Sequence, residues 1–153
     1  MATITEDYVS FETAKLLKEK RFDSNCFYIW FKTDKNEIPS LLATANFVEG
    51  EMTTNRETLD IVTQYHINIY GLNNRIESFL CPTLQTAMKW LREVHGLFIS
   101  IGNDDLDYNW QIFDIKNRTK DLDPTCLTES YAGYREYKQV CEAAIKYCLE
   151  NLI

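Results

Sequence analysis

The chain has 153 residues, with 16 Lys plus Arg against 23 Asp plus Glu, a formal net charge of −7, and 45% hydrophobic and 13% aromatic residues. That composition is too apolar and too aromatic for a disordered chain. The acidic balance argues against strong non-specific nucleic-acid binding, which needs clustered Lys and Arg to neutralise phosphates.

The length suits a single domain spanning 1–153, with a core that needs neither metal nor disulfide staples. The five cysteines, Cys26, Cys81, Cys126, Cys141 and Cys148, are odd in number, widely spaced and form no CxxC pair. They read as reduced thiols that pack as small hydrophobes, and a reducing cytoplasm follows as the expected compartment. The stretch Met1 to Tyr8 has neither a basic nor an apolar region of the kind a signal peptide needs. No apolar run approaches the length of a membrane span, so no membrane association is expected.

In chain order, the first helix is expected over Ser10 to Lys20, with Ser10 as N-cap and Val9 and Ala14 at the staple positions. Asn25 to Thr33 reads as a strand that is apolar on both faces: Cys26, Tyr28 and Trp30 on one, Phe27, Ile29 and Phe31 on the other. Asp34 to Glu37 reads as a turn, and Ile38 to Phe47 as a weaker returning strand whose Pro39 marks an edge. Glu49 to Thr58 reads as a loop. Leu59 to Tyr70 reads as a strand, because Ile61, Tyr65, Ile67 and Ile69 alternate with Gln64, His66 and Asn68. Gly71 to Arg75 then turns the chain, and Ile76 to Leu80 makes a further short strand.

Thr83 is a good N-cap for a helix whose stripe is Leu84, Ala87, Met88, Leu91 and Val94, with Trp90 on the flank and Gly96 as the stop. Leu97 to Ile101 and Tyr108 to Lys116 read as a hairpin with the acidic tip Gly102 to Asp107. Asn117 to Ser130 is polar, contains Pro124 and reads as loop; its Asn117-Arg118-Thr119 sequon carries no weight in a cytoplasmic chain. The last helix, Arg135 to Asn151, places Tyr137, Cys141, Ala144, Ile145, Cys148 and Leu152 within one face.

The order α-β-β-β-(β)-α-β-β-α has connections too short for crossover helices between most strands. It therefore predicts an α+β fold: a mainly antiparallel sheet of about five to six strands with three helices on one face. Ser10-Phe-Glu-Thr-Ala and Thr83-Leu-Gln-Thr-Ala echo each other, each before a pair of strands, which raises the idea of two αββ halves closed by a final helix.

Three segments carry a resemblance: Asp7 to Lys20, Cys81 to His95, and Cys141 to Ile153. Together they resemble the small acidic uncharacterised proteins of gut Bacteroidales, their phages and mobile elements. The resemblance implies a phage or mobile-element setting and brings no catalytic residue with it.

Candidate chemistry is sparse. Asp105, Asp107 and Asn109 have the spacing that opens an EF-hand loop, but Trp110 stands where that loop needs Gly and Lys116 where it needs Glu. Asp104, Asp105 and Asp107 are thus weak candidates for a divalent cation, and a solvated hairpin tip is the plainer reading. His66, on the polar face of its expected strand, and His95, at a helix end, have no HxH or HExxH neighbour. Phosphate-binding glycine loops, dinucleotide fingerprints and a GxSxG elbow are all lacking. No cofactor is expected.

Tyr28, Trp30, Trp90 and Trp110 are the interaction candidates, since Trp and Tyr anchor interfaces. The reading that follows is a non-enzymatic protein–protein interaction module. It would bind a protein partner or itself through an aromatic patch with an acidic rim, in one form as an inhibitor of a host factor. The alternative is a small-ligand or metal-binding domain with an unidentified hydrolase-type site.

Overall fold

The computed structural model describes residues 7–33, 38–43, 53–71, 76–116, 125–130 and 133–153. Among these lie α1 (Phe11–Glu19), β1 (Tyr28–Thr33), β2 (Ser40–Ala43), α2 (Leu59–Tyr70), β3 (Ile76–Cys81), α3 (Leu84–His95), β4 (Leu97–Asp104), β5 (Asp107–Asp114), β6 (Thr125–Glu129) and α4 (Tyr137–Asn151). The class is α+β, as expected. The expected single sheet is instead two antiparallel three-stranded sheets, ordered β2-β1-β3 and β4-β5-β6. They belong to two compact units, Tyr8–Thr83 and Leu84–Ile153 with Asp7. The expected turn at 34–37, the end of the returning strand past Ala43, the start of the expected loop at 49–52, the turn at 72–75 and the sequon at 117–119 lie outside the described residues.

In the Tyr8–Thr83 unit, the Ser10 hydroxyl accepts a hydrogen bond from the Thr13 N–H at 3.2 Å, which fixes the start of α1. Thr13, Ala14 and Leu17 are its buried residues. The helix ends where Arg21 enters the left-handed region (φ 63) and the Phe22 N–H closes back on the Leu17 carbonyl at 3.0 Å. That reversal buries Phe22.

β1 is the middle strand. Ile29 and Phe31 are buried on one face, where the Phe31 ring lies 5.6 Å from the His66 ring of α2. On the other face Tyr28 meets Tyr8 (4.9 Å between centroids) and Trp30 meets Phe11 (6.2 Å). The Trp30 indole N–H donates to the Val9 carbonyl at 2.9 Å. Within Tyr28–Thr33 both apolar faces are therefore covered by their own unit, whereas Phe27, expected on the Ile29 face, precedes the strand and is exposed.

The residues expected as a third strand, Leu59 to Tyr70, form α2. At 100° per residue, Leu59, Val62, Thr63 and His66 fall on one side of it. Leu59, Val62 and His66 are buried there, and the Thr63 hydroxyl lies 2.7 Å from that of Ser78 in β3. A buried stripe that includes Thr and His does not look apolar in sequence, whereas the isoleucines happen to alternate. Gly71 (φ 60) ends the helix, its N–H bonded to the Ile67 carbonyl.

In the Leu84–Ile153 unit, α3 buries Leu84, Ala87, Trp90 and Leu91, while Val94 is half exposed. The buried side is rotated from the expected stripe, taking in Trp90 and releasing Val94. Gly96 (φ 68) follows, as expected. The β4–β5 hairpin is longer and tighter than expected: Asp104 pairs with Asp107, leaving Asp105 and Leu106 as a two-residue turn. Asp105 takes the left-handed conformation there (φ 50), which Asp tolerates better than most side chains.

β6 occupies part of the stretch expected as loop. It pairs antiparallel with β5, with a bulge between Ile112 and Phe113. α4 starts two residues later than expected and buries four of the six stripe residues, Cys141, Ala144, Ile145 and Cys148, together with Val140 and Leu149, while Tyr137 is exposed and Leu152 lies past the helix end.

The helix-then-two-strands echo holds at the level of topology, since α1-β1-β2 and α3-β4-β5 both end in an antiparallel pair. The third strand differs. It joins beside the first strand of the pair in one unit (β2-β1-β3) and beside the second in the other (β4-β5-β6).

Candidate functional site

α1 and the reversal after it, the turn into α2 with the first residues of that helix, and β3 line a cavity of about 150 Å³ in the Tyr8–Thr83 unit. Its walls are Ala14, Leu17, Phe22, Leu59 and Leu80, all buried and all apolar. Lys18, Arg56 and Asp60 complete the lining and are exposed, so the charged groups stand at the mouth. Local geometry puts each in place. Ala14, Leu17 and Lys18 share one side of α1 by their 3- and 4-residue spacing. The reversal at Arg21 supplies Phe22.

Ahead of α2, the side-chain oxygen of Asn55 accepts from the N–H groups of Glu57 (2.9 Å) and Thr58 (3.1 Å), which folds the turn carrying Arg56. The Lys18 ammonium donates to the Ser78 carbonyl at 3.3 Å and lies 5.1 Å from the centre of the Phe79 ring. Its charge is thus committed to β3, and its stem lines the cavity.

A second feature is the outward side of α2. Ile61, Tyr65 and Ile69, at i, i+4 and i+8, are 62%, 39% and 55% exposed. Asp60, Gln64 and Asn68 make the polar side, with the Gln64 amide donating to the Asn68 side-chain oxygen at 3.0 Å. Buried and exposed apolar residues together span about 200° of the helix, well beyond the roughly 100° that packing on one sheet uses.

The four aromatic candidates divide between the two units, two in each. Tyr28 and Trp30 are half-buried beneath Tyr8 and Phe11 in one unit. Trp90 and Trp110 are 5% and 6% exposed in the core of the other, against His95 (4.6 Å) and Tyr147 (5.1 Å) respectively. Asp104, Asp105 and Asp107 are exposed at the hairpin tip, and among the described residues no group of three or more His, Cys, Asp or Glu is placed to hold a metal ion. Sequence reasoning missed both the cavity and the α2 stripe. Reading Ile61, Tyr65 and Ile69 at fourfold rather than twofold spacing was the available signal for the latter.

His66, expected on a polar surface, is 0% exposed because α2 turns it inward. Burial pushes its pKa below the ordinary 6.5. The unfolded chain then takes up a proton on this imidazole at a higher pH than the folded chain does. Stability from this group is complete above pH 6.5 and is lost as pH falls from there toward the folded pKa. Urea unfolding at pH 7.5 and 5.5 is expected to show a lower midpoint at 5.5. The difference should shrink in His66→Gln, and an unchanged difference there would assign the pH effect elsewhere.

Cys26, Cys81, Cys141 and Cys148 are buried and Cys126 is exposed, with all five free. Burial raises the Cys26 and Cys148 thiols to about 12 and pushes Cys141 up as well. Such thiols react slowly because the thiolate is the nucleophile. An aromatic disulfide reagent at pH 8 should label one thiol quickly in the native chain and five after denaturation. Cys126→Ser should remove the fast phase; two or more fast thiols would contradict the burial pattern.

Among the described residues no helix is long and apolar enough to cross a membrane. No protein-family model, curated protein or solved structure matches the chain.

Proposed function

We propose that the chain is a non-enzymatic interaction module, of the phage or mobile-element accessory kind that its three anchor segments suggest. In this reading it lays the outward stripe of α2 into an apolar groove on a partner protein. The observation that carries the reading is the exposure of Ile61, Tyr65 and Ile69 on one side of a helix already buried on another. Apolar anchors recurring every three or four residues along one side are how an amphipathic helix docks in a groove, and these three recur every four. The net charge of −7 favours a groove with a basic rim and disfavours a second copy of this chain. Five free thiols suit a partner in a reducing compartment.

The test compares wild type with Ile61→Asp/Ile69→Asp. Both sites are exposed, so the variant should fold with unchanged circular dichroism. Light scattering should find the wild type monomeric, and affinity capture should recover a stoichiometric protein that the variant loses. Equal recovery by both, no recovery by either, or self-association that the variant abolishes would each overturn the reading.

A further inference from the structure

We propose that the cavity between α1, α2 and β3 binds a free apolar α-amino acid of leucine size, with its side chain inside and its charged groups at the mouth between Arg56 and Asp60. The volume sets the size. About 150 Å³ is far below the roughly 300–1,000 Å³ of sites for drug-sized ligands and matches cavities that take a single small ring. Five buried apolar walls give a branched aliphatic or single-ring side chain its place.

The charges set the head group. Of the two cations at the mouth, Lys18 is held by the Ser78 carbonyl and the Phe79 face. That leaves one guanidinium and one carboxylate, and among the described residues neither Arg56 nor Asp60 has a charged partner. One cation and one anion over an apolar hole complement a zwitterion better than a simple carboxylate or amine. A guanidinium accepts a carboxylate through two parallel N–H donors, and a carboxylate accepts from an ammonium.

Calorimetric titration of the 153-residue chain with L-leucine, 4-methylpentanoate and 3-methylbutylamine tests this directly. Leucine should bind, and each probe lacking one charged group should bind roughly tenfold more weakly or worse. L-Tryptophan, too large for the cavity, should not compete. Asp60→Asn should lower leucine affinity to that of 4-methylpentanoate without changing the latter, and Arg56→Gln should do the converse against 3-methylbutylamine. Both residues are exposed, so folding is preserved. No binding of leucine, equal binding of 4-methylpentanoate, or an Asp60→Asn variant with unchanged leucine affinity would overturn the proposal. None of these outcomes bears on whether the α2 stripe binds a partner.

Discussion

Truncating Trp90 to alanine is expected to cost the Leu84–Ile153 unit about 3–5 kcal/mol, the range for removing a large aromatic from a packed core. The indole is buried on the inward side of α3, beside Leu84, Ala87 and Leu91, with its ring 4.6 Å from that of His95. Removing it takes away its own burial and leaves a void that fixed helices do not close. A surface tryptophan held for a partner would give a change within about 0.5 kcal/mol. Urea unfolding followed by circular dichroism separates the two by a wide margin. A change near zero would return Trp90 to the set of interface candidates.

Trp110 calls for a paired measurement. It points inward from β5, opposite Ile101 of β4, and its ring lies 5.1 Å from Tyr147 of α4. Its buried indole N–H has no acceptor among the described residues. Trp110→Ala should therefore lose about 3–5 kcal/mol for the same reason as Trp90→Ala. Trp110→Phe should lose far less, under about 1.5 kcal/mol. It gives up part of the ring but also removes a donor whose burial costs roughly 1–3 kcal/mol when unpaired. Near-equal losses in the two variants would mean that the N–H is satisfied and that the indole is held by a hydrogen bond as well as by packing.

The legible parts of the sequence were those whose signals are local and redundant. Ser10 as cap, Gly96 as stop, the hairpin from Leu97 and the stripe of the last helix all combine spacing with a residue that starts or ends the element. α2 was misread because its buried side uses His66 and Thr63, while its unburied isoleucines imitate a strand. β6 was missed because Thr125-Cys-Leu-Thr-Glu129, mostly exposed, has no apolar alternation to detect. The cavity was beyond any local pattern. It takes Ala14, Phe22, Leu59 and Leu80 from four separate segments, and only the fold brings them together.

The strand order β2-β1-β3 also bears on how the chain is made. Tyr28 pairs with Cys81 across the whole of α2, whereas the β4–β5 pairing closes through two turn residues. Contacts distant in sequence form slowly, because a long loop must be closed before they reward it. A nascent chain carries β1 out of the ribosome well before β3 exists to pair with it, with Ile29 and Phe31 uncovered in the interval. The N-terminal unit thus spends the early part of synthesis as a sheet with an open side, the stage at which a chaperone has something to hold.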